Sequence, residues 1–225
     1  MNHNLRIPLV AVVAALAGTG ASVYFDPTIA TRLASAEPGQ RVLGAVLKSR
    51  APAPPAGVIV AERGTIVPSM ILVDPEGANV ELPKAWSGKP TLVNLWATWC
   101  APCLKEMPEL QAFADDQSAN AKKAFNDDQS ANAKQAFAGE HGINGMQVVG
   151  IALDDVATVR VFLQQHHITY PNLIDEPGPA DAGVRLGNPA GVLPYTVLIS
   201  AEGRLLKTKI GPFEDKQAIT DWAKP

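Results

Sequence analysis

The stretch Leu92-Val93-Asn94-Leu95-Trp96-Ala97-Thr98-Trp99-Cys100-Ala101-Pro102-Cys103 holds both cysteines of the 225-residue chain. Its strand-forming apolar residues Leu92, Val93, Leu95 and Trp96 stop at Cys100, and the Leu104-Lys105-Glu106-Met107 that follows favours helix. The local reading is strand, tight turn, helix. Cys100 then falls at a helix N-terminus, where unpaired backbone N–H groups and the positive end of the dipole favour a thiolate. Cys103 lies within one helical turn of it, close enough to close a disulfide after small adjustments. That spacing suits a reversible dithiol.

Two plainer roles for Cys-x-x-Cys compete with this one. A zinc site needs two more ligands, and the four histidines, His3, His141, His166 and His167, stand at no finger-like spacing from the pair. A structural staple around so small a loop would remove little denatured-state entropy. The redox reading is the stronger, given the strand before and the helix after.

The chain is long enough for one domain with a well-buried core plus a tail. Its net charge of −3 offers no basic face, which excludes nucleic acid as a partner. With no further cysteines there is no disulfide framework to indicate a compartment, so the N-terminus has to do so. No residue from Ile7 to Phe25 is charged, the run Leu9 to Ala17 is strongly apolar, and Arg6 precedes it. This reads as an export signal of nearly the ~20 residues needed to span a bilayer. Small residues around Thr19 to Ala21, or the later Ala34-Ser35-Ala36, would allow cleavage. An uncleaved signal-anchor over 1–25 is favoured, with the catalytic domain outside the cytoplasm: in the periplasm, anchored to the inner membrane, or released there after cleavage.

Asp26 to about Pro68 shows no sustained period, and Ala51-Pro52-Ala53-Pro54-Pro55-Ala56-Gly57 is proline-rich, so 26–67 reads as a semi-extended spacer. Residues 68–225 read as the folded domain. Met70 to Val73 and Asn79 to Leu82 flank the turn Asp74-Pro75-Glu76-Gly77 as a hairpin. A helix from about Pro102 contains Pro108, which should bend or interrupt it. A tandem near-duplicate of period twelve follows: Ala112 to Lys123, then Ala124 to Gln135. Twelve residues advance a helix by about three and a third turns, so Phe113, Phe125 and Phe137 would face three ways. One copy reads as the helix end and the other as a surface extension. Gln147 to Leu153 is a strand covered on both faces; Asp154-Asp155 then caps a helix through Val156, Val159, Phe162 and Leu163 that His166 and His167 close. Tyr170 to Ile174 is a strand, Ala180 to Leu186 a short helix, and Thr196 to Ile199 and Arg204 to Ile210 a hairpin. Asp215 to Ala223 is the last helix. Alternating strands and helices give an α/β class with helices on both faces of a central sheet.

Trp-Ala-Thr-Trp-Cys-Ala-Pro-Cys followed by Lys-Glu-Met-Pro resembles the thioredoxin superfamily, and within it the membrane-tethered TlpA/ResA-type thiol-disulfide oxidoreductases. The likeness runs from about Pro68 to the C-terminus and includes the N-terminal hairpin. It implies a thioredoxin-like fold with a central mixed sheet and an N-terminal β-hairpin extension. Thioredoxins proper carry a buried aspartate six residues before the first cysteine; here that place holds Asn94, which cannot ionise. The extracytoplasmic branch has instead a glutamate just after the motif, matched by Glu106, which would serve as proton acceptor for Cys103. Read alone, Glu106 is an ordinary first-turn glutamate near a helix dipole. The resemblance also implies that Pro194 is a cis-proline facing the cysteines, with the Leu193 backbone open for an extended substrate peptide; Trp96, Trp99 and Pro102 would shape the rim. From sequence alone, a proline leading a strand is merely permitted. The implied partners are disulfide-bearing proteins and a membrane thiol-electron donor, with no cofactor. The implied reaction is reduction, in cytochrome c biogenesis or copper-site assembly.

Two further readings stay open. A peroxiredoxin-like peroxidase would reduce hydroperoxides at Cys100, although the threonine of that group's motif stands three residues before its cysteine and Thr98 stands two before. A non-catalytic module could hold Cu(I) on the two thiolates, since soft ligands suit that ion.

Overall fold

Every residue of the strand Thr91–Trp96 is buried, and that accounts for its unbroken apolar run. The computed structural model describes residues 36–86, 88–126 and 145–224. In chain order the strands are β1 (Met70–Val73), β2 (Asn79–Leu82), β3 (Thr91–Trp96), β4 (Gln147–Leu153), β5 (Asn172–Asp175), β6 (Tyr195–Ile199) and β7 (Leu205–Ile210). The helices are α1 (Glu37–Arg50), α2 (Ala101–Asn126), α3 (Val156–Gln165), α4 (Ala182–Arg185) and α5 (Lys216–Ala223). The strands make one seven-stranded mixed sheet in the order β2-β1-β5-β4-β3-β6-β7. Within it β3, β4 and β5 run parallel, and β6, β7 and the β1–β2 hairpin are antiparallel additions.

Side chains of β3 alternate between two apolar layers. Leu92 and Trp96 face α2, α3 and α5, packing with Leu110, Phe113, Val159, Leu163 and Ile219. Val93 and Leu95 face the other way, against Ala61, Val67, Trp86, Ala182 and Leu186. Each fully buried Leu or Ile side chain stabilises this arrangement by about 2 kcal/mol. Side-chain caps set the helix starts: Asp155 accepts from Thr158 N–H and Asp215 from Ala218 N–H. Gly150 on β4 lets the neighbouring β5 residue Asn172 reach Trp96. A Cβ there would stand 1.9 Å from Asn172 Oδ1, the atom that accepts from Trp96 Nε1 at 3.0 Å.

The structure departs from the sequence reading in three places. Residues Glu37–Arg50 are helical where a spacer is expected; the proline-rich run begins only after the helix ends, so it does not prevent it. The folded unit also starts upstream of Pro68, since Lys48–Pro225 form one compact unit. In it Ala61 N–H donates to Arg185 O, Gly64 N–H to Leu205 O and Val67 N–H to Gly203 O, with Leu205 N–H returning to Thr65 O. Third, Pro108 does not interrupt α2, which runs continuously from Ala101 to Asn126. The ring sits on the exposed side, and the buried Cys103, Glu106, Met107, Leu110 and Phe113 hold the helix on either side of it.

The first repeat copy lies on α2 and buries Phe113, Ala114 and Gln117. The second copy passes out of the described residues after Asn126, as does Phe137. The apolar run Ile7 to Phe25 also lies outside them. Among the described residues no helix is long and apolar enough to cross a membrane.

Candidate active site

Cys100 immediately precedes α2, and its carbonyl accepts the helix's opening bond from Leu104 N–H at 3.1 Å. Its own N–H donates back to Ala97 O at 3.1 Å, closing the turn between β3 and α2. Cys100 and Cys103 are disulfide-bonded, with Cα atoms 5.3 Å apart. Cys100 retains 5% of its surface and Cys103 none, so an attacking molecule reaches the first sulfur and not the second. The preceding turn is fixed from the residue that follows β4: Asp154 Oδ2 accepts from Thr98 N–H at 3.1 Å and from Thr98 Oγ1 at 2.5 Å.

Glu106 stands one helical turn beyond Cys103 and is 1% exposed. Oε1 accepts from Asn94 Nδ2 at 2.8 Å and Oε2 from Phe213 N–H at 2.8 Å. Burial pushes its carboxyl up to about 7; the Phe213 and Asn94 hydrogen bonds and the charge of Lys209 hold it from going higher. Asn94 also donates to Thr196 Oγ1 at 3.1 Å. Asn94 pairs with Thr196, and Thr196 with Lys209, across β3, β6 and β7. These three form a polar row in register beneath α2. Tyr170, whose hydroxyl is buried without a hydrogen-bond partner, adds to the cluster and is pushed far up by burial and by Glu106.

The Leu193–Pro194 bond is cis. Pro194 O accepts from Gly211 N–H at 2.9 Å, tying the approach to β6 to the turn that carries Phe213. Leu193 packs against the apolar cluster that contains both cysteines, and among the described residues its backbone N–H and C=O form no hydrogen bond. Trp99 is 68% exposed and Pro102 is exposed beside Cys100. Trp96 is not on the rim. Strand alternation turns it inward, fully buried, with its ring 5.2 Å from Phe162. His166 caps α3 and stacks on Phe162 at 4.1 Å. Among the described residues no group of three or more His, Cys, Asp and Glu could hold a metal ion.

Sequence reasoning missed Asp154 as the support of Thr98, and missed Thr196, Lys209 and the Phe213 amide as the surroundings of Glu106. One signal was available. Thr196 and Leu198 alternate on β6, and a paired β7 must then direct Lys207 and Lys209 to the same face as Asn94.

A dithiol at the mouth of the helix that follows the central strand of a mixed sheet defines a thioredoxin-fold thiol-disulfide oxidoreductase. Comparison with known proteins agrees. Residues 62–145 match the Redoxin family model. The chain is 26% identical over 171 residues to the sporulation thiol-disulfide oxidoreductase A of Bacillus subtilis, covering 76% of this chain and 87% of that one. It is 27% identical over 157 residues to the thiol-disulfide oxidoreductase ResA of the same organism, covering 69% and 72%. Among solved structures, a secreted thiol-disulfide isomerase from Corynebacterium glutamicum superposes with a TM-score of 0.53 at 19% identity, covering 77% and 94%. The chain is similar in sequence to the TlpA/ResA-type thiol-disulfide oxidoreductases and shares the thioredoxin-like fold.

Proposed function

We propose that this oxidoreductase works outside the cytoplasm, in the periplasm or its equivalent, and reduces disulfides in protein substrates. The reading rests on one arrangement: a buried Cys103 behind a reachable Cys100, with the carboxylate of Glu106 one turn away. In the reduced protein the Cys100 thiolate attacks one sulfur of the substrate disulfide, and the other substrate sulfur leaves as a thiolate. Glu106 takes the proton of Cys103, whose thiolate then attacks Cys100 Sγ. The second substrate sulfur leaves, and the Cys100–Cys103 disulfide forms. A membrane dithiol donor returns two electrons to that bond. The free Leu193 backbone supports pairing with an extended peptide, and Trp99 and Pro102 supply an apolar rim. The uncharged run Ile7 to Phe25 supports a membrane tether, and the family resemblance supports apocytochromes c or copper-site proteins as the substrate class.

The test is the reduction potential of the Cys100/Cys103 couple, with trapping by Cys103→Ser. A reducing potential and accumulation of mixed disulfides through Cys100 are expected. A potential as oxidising as the strong disulfide donors, on the order of −120 mV, overturns the reductase reading.

A further inference from the structure

Lys209 is only 7% exposed although it lies on an outer strand of the sheet. Its ammonium donates to Pro212 O at 3.0 Å and Gly211 O at 3.3 Å, and lies 4.9 Å from the centre of the Phe213 ring. The turn it grips is the one that presents Phe213 N–H to Glu106 Oε2. A lysine on an edge strand ordinarily keeps its charge in water. Burying this one costs free energy that three neutral contacts only partly offset.

We infer that Lys209 is a positioning residue for thiol exchange: it braces the Gly211–Phe213 turn and sets a positive charge facing Glu106, so that Glu106 can hold and release the proton of Cys103. The inference rests on the proton-transfer role of Glu106 proposed above. The groups facing Glu106 are Asn94 from β3, Lys209 from β7, the Phe213 amide from the turn and Tyr170 from the segment before β5; Glu214 faces Lys209 in turn. Lys209 is the one cation among them. Its charge stabilises the carboxylate against burial, and Glu106 and Glu214 in return oppose the burial that lowers the lysine's own proton affinity.

The test follows Glu106 directly, by the carbon-13 shift of its side-chain carboxyl across a pH series, in the full chain and in Lys209→Met, Lys209→Gln and Lys209→Arg; Glu106→Gln assigns the signal. Removing the charge should raise the proton affinity of Glu106 by roughly tenfold in both neutral variants. Arginine should restore it to within about twofold. Near-ultraviolet dichroism and amide spectra confirm the fold in each variant, and the glutamine form keeps a hydrogen-bond donor if the methionine form unfolds. An unchanged Glu106 midpoint in a folded neutral variant overturns the inference. So does an arginine form that behaves like methionine. Failure of the underlying reading shows elsewhere: Glu106→Gln would then release mixed disulfide with the pH profile of the unaltered protein.

Discussion

Asn94 donates its side-chain amide to Glu106 Oε1 at 2.8 Å, joining the centre of β3 to the first turns of α2 behind the disulfide. The contact is a device for balancing a carboxyl group. Burial favours the neutral form and prevails, hydrogen bonds from Phe213 and Asn94 favour the ionised one and limit the rise, and the carboxyl settles at about 7. A group so balanced exchanges its proton at working pH. An ionisable residue at position 94 would place a second carboxyl against the first, so a neutral amide there and an acid at 106 form a consistent pair.

Release of substrate from the Cys100 mixed disulfide should speed up as pH rises through about 7 and then level off, because the carboxylate form of Glu106 is the base. Glu106→Gln should flatten that limb and slow release at pH 7.5 by about a hundredfold. Stopped-flow measurement of thiol release in both proteins decides it.

The same group makes stability depend on pH. Its folded value of about 7 lies above the 4.5 of the unfolded chain, so the folded state binds the extra proton. The contribution is fully present below 4.5 and is lost as pH rises through about 7, a difference of at most about 3 kcal/mol. Urea unfolding at pH 5 and pH 8 should show this decline in the unaltered protein, and Glu106→Gln should lack it.

Asp154 holds the turn from which Trp99 and Cys100 project. Asp154→Ala leaves Thr98 N–H and Oγ1 without their acceptor and should cost about 1–2 kcal/mol of stability. It should also lower kcat/KM for a disulfide peptide several-fold, with Asp154→Asn intermediate. Denaturant midpoints and a peptide reduction assay read the two effects separately.

Gly150→Ala forces a methyl group into Asn172 Oδ1 and toward Trp96 Nε1. Neither atom is the end of a flexible chain. The loss should be about 2–4 kcal/mol from overpacking and a broken buried hydrogen bond, seen as a lower thermal midpoint.

Trp99 is mostly in solvent, so Trp99→Ala should leave unfolding free energy within about 0.5 kcal/mol. It should raise KM for protein substrates several-fold while sparing small disulfides, which steady-state kinetics on both substrate classes will show.

The elements nearest the chemistry were the most legible. Leu92 to Cys103 reads as strand, turn and helix because residue type and spacing agree there. The Met70 to Leu82 hairpin and the cap at Asp154-Asp155 read correctly because turn and cap residues act locally. What the sequence hid depends on distant partners. Trp96 adjoins the motif and so looked like rim, but strand alternation turns it away. Lys209 drew no notice within its strand because nothing local says that the Gly211–Phe213 turn folds over it. Residues Ala61 to Val67 carry no periodicity, since their order comes from bonds to Arg185, Gly203 and Leu205.

Those bonds moor the incoming polypeptide to one margin of the sheet. Backbone donors and acceptors around Gly203 and Leu205 are already occupied, so an extended visitor meets no free ladder there. The mooring at Leu205 stands level with Thr91 at the start of β3, whereas Cys100 follows the other end of that strand, so a clamp on this margin leaves the approach to the reactive sulfur clear.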